Sequence, residues 1–564
     1  MNLQKQNISI VLSGAAGQGI NTVERLLTQS LRNSGYHFFS TSELMSRVRG
    51  GNNTTEIRIG ENHIQSFSEK IDLLVVLGKN AISRIEKRLS ENTILLGDPF
   101  FIESEYSQKY KTLNIPINKI AEESGGIIFS NSVVLGIILA MLKLPVEPEI
   151  ENITKKFSRK SKEIIDGNIK ALHAGYLAGL QIDFPLALPV FDEVKNHAIL
   201  SGNDAVTIGA IAGGCNFVAA YPMSPSTEVL LKLAHQAEQF EIVVEQAEDE
   251  IAAVNMAIGA WYAGARGLTT TSGGGFALME EGISLSGMTE VSLVVHLAQR
   301  PGPATGLPTR TEQADLNLAI YSGHGEFPKI VLAPGSIDDG ITITHKAFEM
   351  ADKFRVPVII LTDQFYLESF VMTPKFDVSK LKTEYTIEAT KADFKTYPIT
   401  SSGISPRGIP GFGDGYVCAD SDEHDEWGRL TEDENVRVEQ MDKRLRKFEA
   451  IAIDSILPEI IGSDKLENVI IGWGSTYGTI KEAMIESGRT DLTFLNFKQV
   501  FPLPPNTKSL LEKAKKIVVI ENNATGQFAK LLRQETGIKV HETILQYNGN
   551  PFSVEFLTQK LKAL

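Results

Sequence analysis

One carboxylate stands at the head of an apolar run built largely from small residues. Glu250 is followed by Ile251-Ala252-Ala253-Val254-Asn255-Met256-Ala257-Ile258-Gly259-Ala260, and no further charge occurs until Arg266. Ala252, Ala253, Ala257, Gly259 and Ala260 give a helix surface that another backbone or a flat cofactor can approach closely, because little side chain stands in the way. A carboxylate that opens such a helix is costly to bury without a dedicated partner. Glu250 is therefore a candidate acid–base group, with Glu245 and Glu248 as its alternatives. A plain helix-terminus carboxylate, stabilised by the helix dipole, would leave the same pattern.

The elements that must position this group alternate regularly. Strand-like runs recur at Val206–Ile208, Phe217–Ala220, Ile242–Val244, Leu268–Thr271, Val291–Leu297, Ile330–Leu332 and Val356–Leu361, with helical patterns between them. That alternation predicts a parallel sheet with helices on both faces. Ligands of such sheets bind beyond the carboxyl ends of the strands. Tyr221–Thr227, Ser272–Gly275 and Arg300–Thr311 each follow a strand directly, so they are expected to gather on one edge.

A separate segment precedes this one. Ile8–Leu12 reads as a buried strand, followed by a turn containing Gly14, Gly17 and Gly19 and then a helical pattern through Leu31. Strand, glycine turn and helix N-terminus together form an anion-binding place. The spacing departs from the dinucleotide fingerprint, however, and no acid clearly ends a second strand. Arg47 and Arg49, beside Gly50 and Gly51, suit a phosphate or an interface carboxylate; a glycine turn that lets helix and sheet pack explains the segment as well. After the central segment, Pro398–Gly415 is rich in proline, glycine and serine and reads as irregular linker. His424 follows among Asp420, Asp422, Glu423, Asp425 and Glu426, a pattern expected of a solvated loop. A charged helix, Val438–Ile456, then opens a last segment with strands at Val469–Trp473, Leu492–Asn496, Ile517–Ile520 and Ile538–His541. Glu521–Phe528 reads as a capping turn, with a role at a subunit contact as the alternative.

Composition bounds the function. A chain of 564 residues exceeds one core, and three to four domains are expected. The formal charge of −14 argues against a general binder of nucleic acid or anionic membrane. Two cysteines, Cys215 and Cys418, are too few for an ordinary iron–sulfur cluster, which needs about four thiolates, or for a disulfide framework. Cys215, among Ala212, Gly213 and Gly214, reads as a small buried residue. The opening residues lack a signal-peptide pattern and the longest apolar run, Val133–Leu142, is too short to span a bilayer, so a cytoplasmic protein is expected.

Glu250 with Ala253 and Gly259 at their spacing resembles the activating-glutamate helix of thiamine-diphosphate enzymes. Together with Tyr221–Glu228, Thr271–Phe276 and Gln299–Gln313, in that order, it makes nearly the whole chain resemble the α subunit of the 2-oxoacid:ferredoxin oxidoreductases with a fused N-terminal γ-type domain. The family's Tyr-Pro-Ile-Thr-Pro-Ser is here Tyr221-Pro222-Met223-Ser224-Pro225-Ser226, so Ser224 stands where the family has a substrate-touching threonine.

The resemblance implies an α/β multidomain fold of parallel sheets flanked by helices. It implies a γ-type domain over 1–190, a thiamine-diphosphate pyrimidine-binding domain over 195–390, an irregular segment over 391–440 and a transketolase C-terminal-like domain over 441–564. Glu250 would bond the cofactor's aminopyrimidine, alongside Tyr221, Pro222, Gly274 and the turn residues Gly14, Gly17 and Gly19 as cofactor-binding positions. Arg300 would bind the substrate carboxylate, with Arg310 as a second candidate, and Ser224 would donate to a substrate oxygen. Gly413-Asp414-Gly415 mimics the magnesium motif of thiamine enzymes, but no strand pattern precedes it and Asn435 comes too early, so no metal is assigned to this chain.

Magnesium and the iron–sulfur cluster are then expected on a β subunit, within an α2β2 assembly that delivers electrons to ferredoxin. The reaction implied is coenzyme A-dependent oxidative decarboxylation of 2-oxoglutarate, active only with the β subunit. Pyruvate or branched-chain 2-oxoacids are the alternative substrates, and a non-catalytic nucleotide-binding scaffold is the alternative function.

Overall fold

The computed structural model describes residues 7–15, 19–45, 51–61, 64–184 and 188–564. The chain forms two compact units. The first comprises Met1–Leu200, Ser369–Lys375 and Ser553–Phe556; the second comprises Ser201–Glu368, Phe376–Phe552 and Leu557–Leu564.

The first unit is built on an eight-stranded sheet. Its order is Lys111–Asn114, Ile94–Gly97, Leu73–Val76, Ile8–Ala15, Asn52–Gly60, His37–Glu43, Phe370–Thr373 and Ala198–Ser201. Ile8–Ala15, Leu73–Val76, Ile94–Gly97 and Lys111–Asn114 run parallel. Asn52–Gly60 is antiparallel to both of its neighbours, so this sheet is mixed rather than parallel as expected. The reason is the connection: residues 44–51 are too few for the crossover that a parallel pair requires. Helix Ser130–Met141 is buried from Ser132 to Met141, which explains the apolar run at Val133–Leu142 as core. It packs closely on helix Lys162–Gly179, where a methyl group added at Gly136 or Gly175 would strike the facing backbone. No single helix among the described residues is long and apolar enough to cross a membrane.

The second unit carries two sheets. The larger runs in the order Gln499–Phe501, Ile330–Leu332, Pro357–Asp363, Leu293–Gln299, Gly267–Thr271, Phe217–Ala220 and Val243–Gln246. It is parallel except for Gln499–Phe501, which pairs antiparallel with Ile330–Leu332 and thereby ties the last third of the chain into the central sheet. The smaller sheet runs Glu459–Gly462, Leu492–Phe497, Asn468–Trp473, Lys516–Glu521 and Glu542–Leu545, parallel but for its first strand. Two strand expectations fail. Val206–Ile208 lies inside helix Gly202–Ala212, because Ser201 and Asp204 form a capping box that starts a helix there. Ile538–His541 serves as the connection after helix Gln527–Thr536, and the strand is Glu542–Leu545.

Between Thr373 and Glu434 the chain has no helix or strand beyond the short turn Val378–Lys380. Buried charges hold this stretch in place. Arg407, from within it, bonds Asp352 at 2.7 Å, and Asp352 also takes Arg266 at 2.7 Å. Tyr397 is fully buried and donates to the Thr289 carbonyl at 3.0 Å. Next to Tyr397, Glu290 receives Lys443 at 2.5 Å and Lys447 at 2.6 Å from helix Glu434–Ile453. His424, expected in solvent, is fully buried with its ring 4.0 Å from that of Tyr397. The segment's composition looks polar, but several of its polar groups turn inward and pair with the rest of the second unit around it.

Burial alone would raise the Glu290 carboxyl, yet Lys447, Lys443 and Arg355 outweigh it and hold it well below the usual carboxylate range. Removing one partner of such a cluster leaves buried charges uncompensated, typically at a cost of about 3–5 kcal/mol. Glu290→Gln is therefore expected to lower the urea midpoint at pH 7. Because a depressed carboxylate stabilises above its unfolded value, the penalty should persist through neutral pH and shrink only below about pH 4. Denaturation curves of the full chain at pH 7 and pH 4 measure this; a variant as stable as the parent at pH 7 would show the cluster to be energetically idle.

Candidate active site

The carboxyl ends of the central strands do gather the expected segments. Helix Glu250–Tyr262 leaves the edge strand Val243–Gln246, and Asp249 caps it by accepting the Ala252 N–H at 2.8 Å. That cap fixes the first turn and points Glu250 inward. Glu250 is only 3% exposed, while Glu245 and Glu248 face solvent. Its Oε1 is buried without a hydrogen-bond partner among the described residues. Burial, and secondarily the charge of Asp249, raises its pKa above the ordinary carboxylate value.

What lies against Glu250 is a glycine triplet. Gly267–Thr271 ends at Ser272, and Gly273, Gly274 and Gly275 open the short helix Gly273–Leu278. A methyl group at Gly275 would collide with the Glu250 carboxyl and the Thr271 hydroxyl. One at Gly273 would collide with the Asp315 carboxylate. One at Gly274 would meet nothing nearer than the Ala304 carbonyl, at 3.9 Å, and Gly274 is exposed. The triplet is therefore flanked by two carboxylates and open at its centre. The Ser272 hydroxyl is likewise buried without a partner among the described residues. An unsatisfied carboxylate oxygen beside bare backbone fits a planar group that carries a nitrogen to be bonded.

Arg300 leaves the strand Leu293–Gln299. Its Nη1 donates to the Ser224 carbonyl at 2.7 Å, which joins the two loops. Ser224 is exposed and Ser226 closes the turn by donating to the Met223 carbonyl at 2.7 Å. Tyr221, 41% exposed, and the half-buried Pro222 stand at the end of Phe217–Ala220. Desolvation lowers the Arg300 pKa, opposed by Asp315. Arg310 lies further along the same loop and donates to Asn550 Oδ1 at 3.4 Å, with its stem against Gly549.

Residues for which the sequence suggested no role hold this loop. Gln313 is fully buried. Its side chain donates to the Trp473 carbonyl at 2.8 Å and accepts the Asn522 N–H at 2.9 Å, while its backbone N–H donates to the Asn522 carbonyl at 2.7 Å. Thr311 donates to Asp363 at 3.1 Å, and Asp363 also accepts from Ser475. Asp315 and Glu312 are both pushed up to about 6, by burial first. Glu312 and Gln313 adjoin Arg310 and Thr311, and Asp363 ends a strand; that position was the only signal the sequence offered. Glu521 caps helix Gln527–Thr536, accepting from the N–H groups of Phe528 at 2.9 Å and Ala529 at 3.0 Å.

The remaining candidates lie elsewhere. Gly14 belongs to the strand Ile8–Ala15, paired with Asn53, rather than to a turn. Gly17, Arg47 and Arg49 fall outside the described residues. Gly19, at φ 77°, precedes helix Ile20–Asn33 and borders a cavity of about 480 Å³ in the first unit, lined also by Asp98, Asn118 and Asn131. Burial pushes the Cys215 thiol up to about 12, which leaves it protonated. Asp414 is exposed and follows no strand.

Comparison with known proteins adds to this geometry. Residues 208–443 match the family described as pyruvate flavodoxin/ferredoxin oxidoreductase, thiamine diphosphate-binding, and residues 9–178 match pyruvate ferredoxin/flavodoxin oxidoreductase. The chain is 32% identical to the 2-oxoacid:ferredoxin oxidoreductase subunit alpha of Sulfolobus sp, over 98% of this chain and 96% of that one. It is 28% identical to the 2-oxoglutarate oxidoreductase subunit KorA of Mycobacterium tuberculosis, over 99% and 91%. The solved structure of 2-oxoglutarate:ferredoxin oxidoreductase from Magnetococcus marinus, with 2-oxoglutarate, coenzyme A and succinyl-CoA bound, superposes with a TM-score of 0.92 at 28% identity, covering 99% of this chain and 100% of that one.

A buried carboxylate with a raised pKa costs stability above its unfolded value of about 4.3. Glu250→Gln should therefore melt at or above the parent temperature at pH 7–8, with the difference vanishing near pH 4. Gly275→Ala should displace the carboxyl and destabilise, whereas Gly274→Ala should not. Thermal melts of the three variants check this; a Glu250→Gln variant that melts well below the parent at pH 8 would mean the carboxylate is satisfied.

Proposed function

This chain belongs to the 2-oxoacid:ferredoxin oxidoreductase α-subunit family, and on that premise we propose that it forms the 2-oxoacid-binding, cofactor-activating half of a coenzyme A-dependent oxidative decarboxylase whose preferred substrate is 2-oxoglutarate. The observation that carries the reading is the buried, unpartnered Glu250 beside an open glycine triplet, at the sheet edge that also presents Arg300. The names of two relatives and of the solved structure support the choice of 2-oxoglutarate, while other relatives, the Sulfolobus one among them, are named for 2-oxoacids in general.

Each residue has a physical task. Glu250 Oε1 would hold or accept a proton at a ring nitrogen of the cofactor, and its raised pKa brings it nearer the range where a carboxyl exchanges protons at neutral pH. Gly274, the open centre of the triplet, would leave room for the ring, with Tyr221 and Pro222 on a neighbouring strand end. Arg300 orients the substrate carboxylate, for which a half-desolvated guanidinium is well matched. Ser224 offers its hydroxyl to a substrate oxygen, and Arg310 is assigned to the distal carboxylate of 2-oxoglutarate. Thiamine diphosphate, when bound, supplies the electron sink for the departing carboxyl group.

With only two cysteines, this chain does not supply the thiolates of a cluster. A β subunit carrying the cluster and the magnesium–diphosphate site completes the assembly, as α2β2, and passes electrons to ferredoxin. Two thiols without a disulfide suit the reducing cytoplasm.

The chain without its β subunit should turn over no 2-oxoacid with an artificial acceptor. In the reconstituted complex, Glu250→Gln should lose roughly two or more orders of magnitude in activity, while Glu248→Gln retains most of it. Arg300→Ala removes a charged partner worth about 2–5 kcal/mol and should lower kcat/KM by roughly 30-fold or more. Arg310→Ala should harm 2-oxoglutarate turnover more than pyruvate turnover, since pyruvate has no second carboxylate. Steady-state rates with 2-oxoglutarate, pyruvate and 2-oxoisovalerate measure all of these, and faster turnover of either alternative at equal concentration would reassign the substrate.

A further inference from the structure

Asp315 has an unusual setting. Its backbone N–H donates to Gln299 Oε1 at 3.0 Å, which fixes the residue behind the end of the strand that delivers Arg300. Its carboxylate lies against Gly273, so tightly that a methyl group there could not coexist with it. Oδ2 is buried and makes no hydrogen bond among the described residues. Glu250 occupies the matching position at Gly275. Residues two apart on a helix point about 200° apart, so the two carboxylates stand on opposite faces of the triplet. Glu250 has its task in the cofactor; Asp315 has none in the scheme above.

The charged groups that act on Asp315 are few. Arg300, on the loop leaving Leu293–Gln299, lowers its pKa; Glu312, three residues earlier in its own segment, is itself raised by the Asp315 charge; Gly273 brings no charge. Arg300 makes one hydrogen bond among the described residues, to the Ser224 carbonyl, and is not in ion-pair contact with Asp315. Asp315 is held by Gln299, the residue before Arg300, and thus acts on Arg300 through space from the base of its loop.

The geometry points to Asp315 as a positioning residue for the 2-oxoacid, one that shares the charge of Arg300 with the substrate carboxylate and takes up a proton when that carboxylate arrives. Before substrate binds, the Asp315 charge balances the half-buried guanidinium. A substrate carboxylate on Arg300 brings a second anion to the same cation, and Asp315 is the anion that a proton can neutralise. By linkage, the proton and the substrate favour each other. Asp315 and Glu312, both lifted to about 6, place the transition in an accessible range. The sign is fixed: affinity is highest where Asp315 is protonated and falls as pH rises through its free value.

This rests on Arg300 being the carboxylate-binding residue, and the test separates the two claims. In the complex with its partner subunit, KM for 2-oxoglutarate should rise roughly fivefold between pH 6 and pH 8.5 if the bound substrate raises the Asp315 pKa by about one unit. Asp315→Asn should flatten that rise and give a lower KM than the parent at pH 8.5. Arg300→Lys is the control. If it leaves KM unchanged, Arg300 is not the carboxylate site and both claims fall. If it raises KM strongly while Asp315→Asn follows the parent profile, the Asp315 claim alone is overturned. A flat profile in the parent overturns it without any variant, and does so even should Asp315→Asn fail to assemble.

Discussion

An irregular loop can aim an arginine only if its own backbone is held, and in this protein Gln313 does the holding. Its amide groups pair with Asn522 in both directions, and its side chain reaches the Trp473 carbonyl. Those partners end two strands of the smaller sheet. The loop from Arg300 to Asp315 is therefore fastened at its start by the central sheet and near its end by the last sheet. The Asp363 carboxylate adds a second tie through Thr311 and Ser475. Such buried polar groups leave no room for slippage, because each lost bond strands a partner away from water. The geometry at the strand ends is inherited from that clamp.

Charges inside this chain fall into two regimes. At Glu290 and Asp352, buried acids meet buried cations at 2.5–2.7 Å, and an otherwise irregular stretch is locked against the central sheet. At the buried Glu250 and the half-buried Asp315, one buried carboxylate oxygen has no partner among the described residues and sits against bare glycine backbone. The first regime is what stability asks of a buried charge. The second is unfavourable by itself and makes physical sense where a ligand is to supply the missing partner. The glycine triplet lies between those two unsatisfied acids, and its centre is open.

The central sheet was legible in the sequence because its strands are buried on both faces and read as short apolar runs separated by helical patterns. Six central strand expectations recur in the structure with shifts of a residue or two, at Phe217–Ala220, Val243–Gln246, Gly267–Thr271, Leu293–Gln299, Ile330–Leu332 and Pro357–Asp363. Val206–Ile208 failed because a local capping box overrode a β-branched run. The mixed sheet of the first unit was missed because its antiparallel pairing follows from a short connection, not from the composition of the strands. His424 misled for a related reason: its acidic neighbours suggested solvent, while Arg437 and Arg444 from the helix that follows pair with Glu423 beside it.

The sequence by itself determined the chemistry-bearing types and their order: Glu250 as the last carboxylate before a run of small residues, Tyr221, Gly274 and Arg300 each just beyond a strand, and Arg310 further along the Arg300 loop. Period and spacing are local properties, and they suffice to put those residues on one edge. Only the tertiary structure decided which acid is buried, since Glu245, Glu248 and Glu250 differ in sequence by position alone and in space by whether the helix cap at Asp249 turns them inward. Only the tertiary structure brought Asp315 against Gly273 and Gln313 against Asn522, partners 42 and 209 residues apart. Contacts at that separation are fixed by how strands stack and where loops close, and no window of sequence contains them.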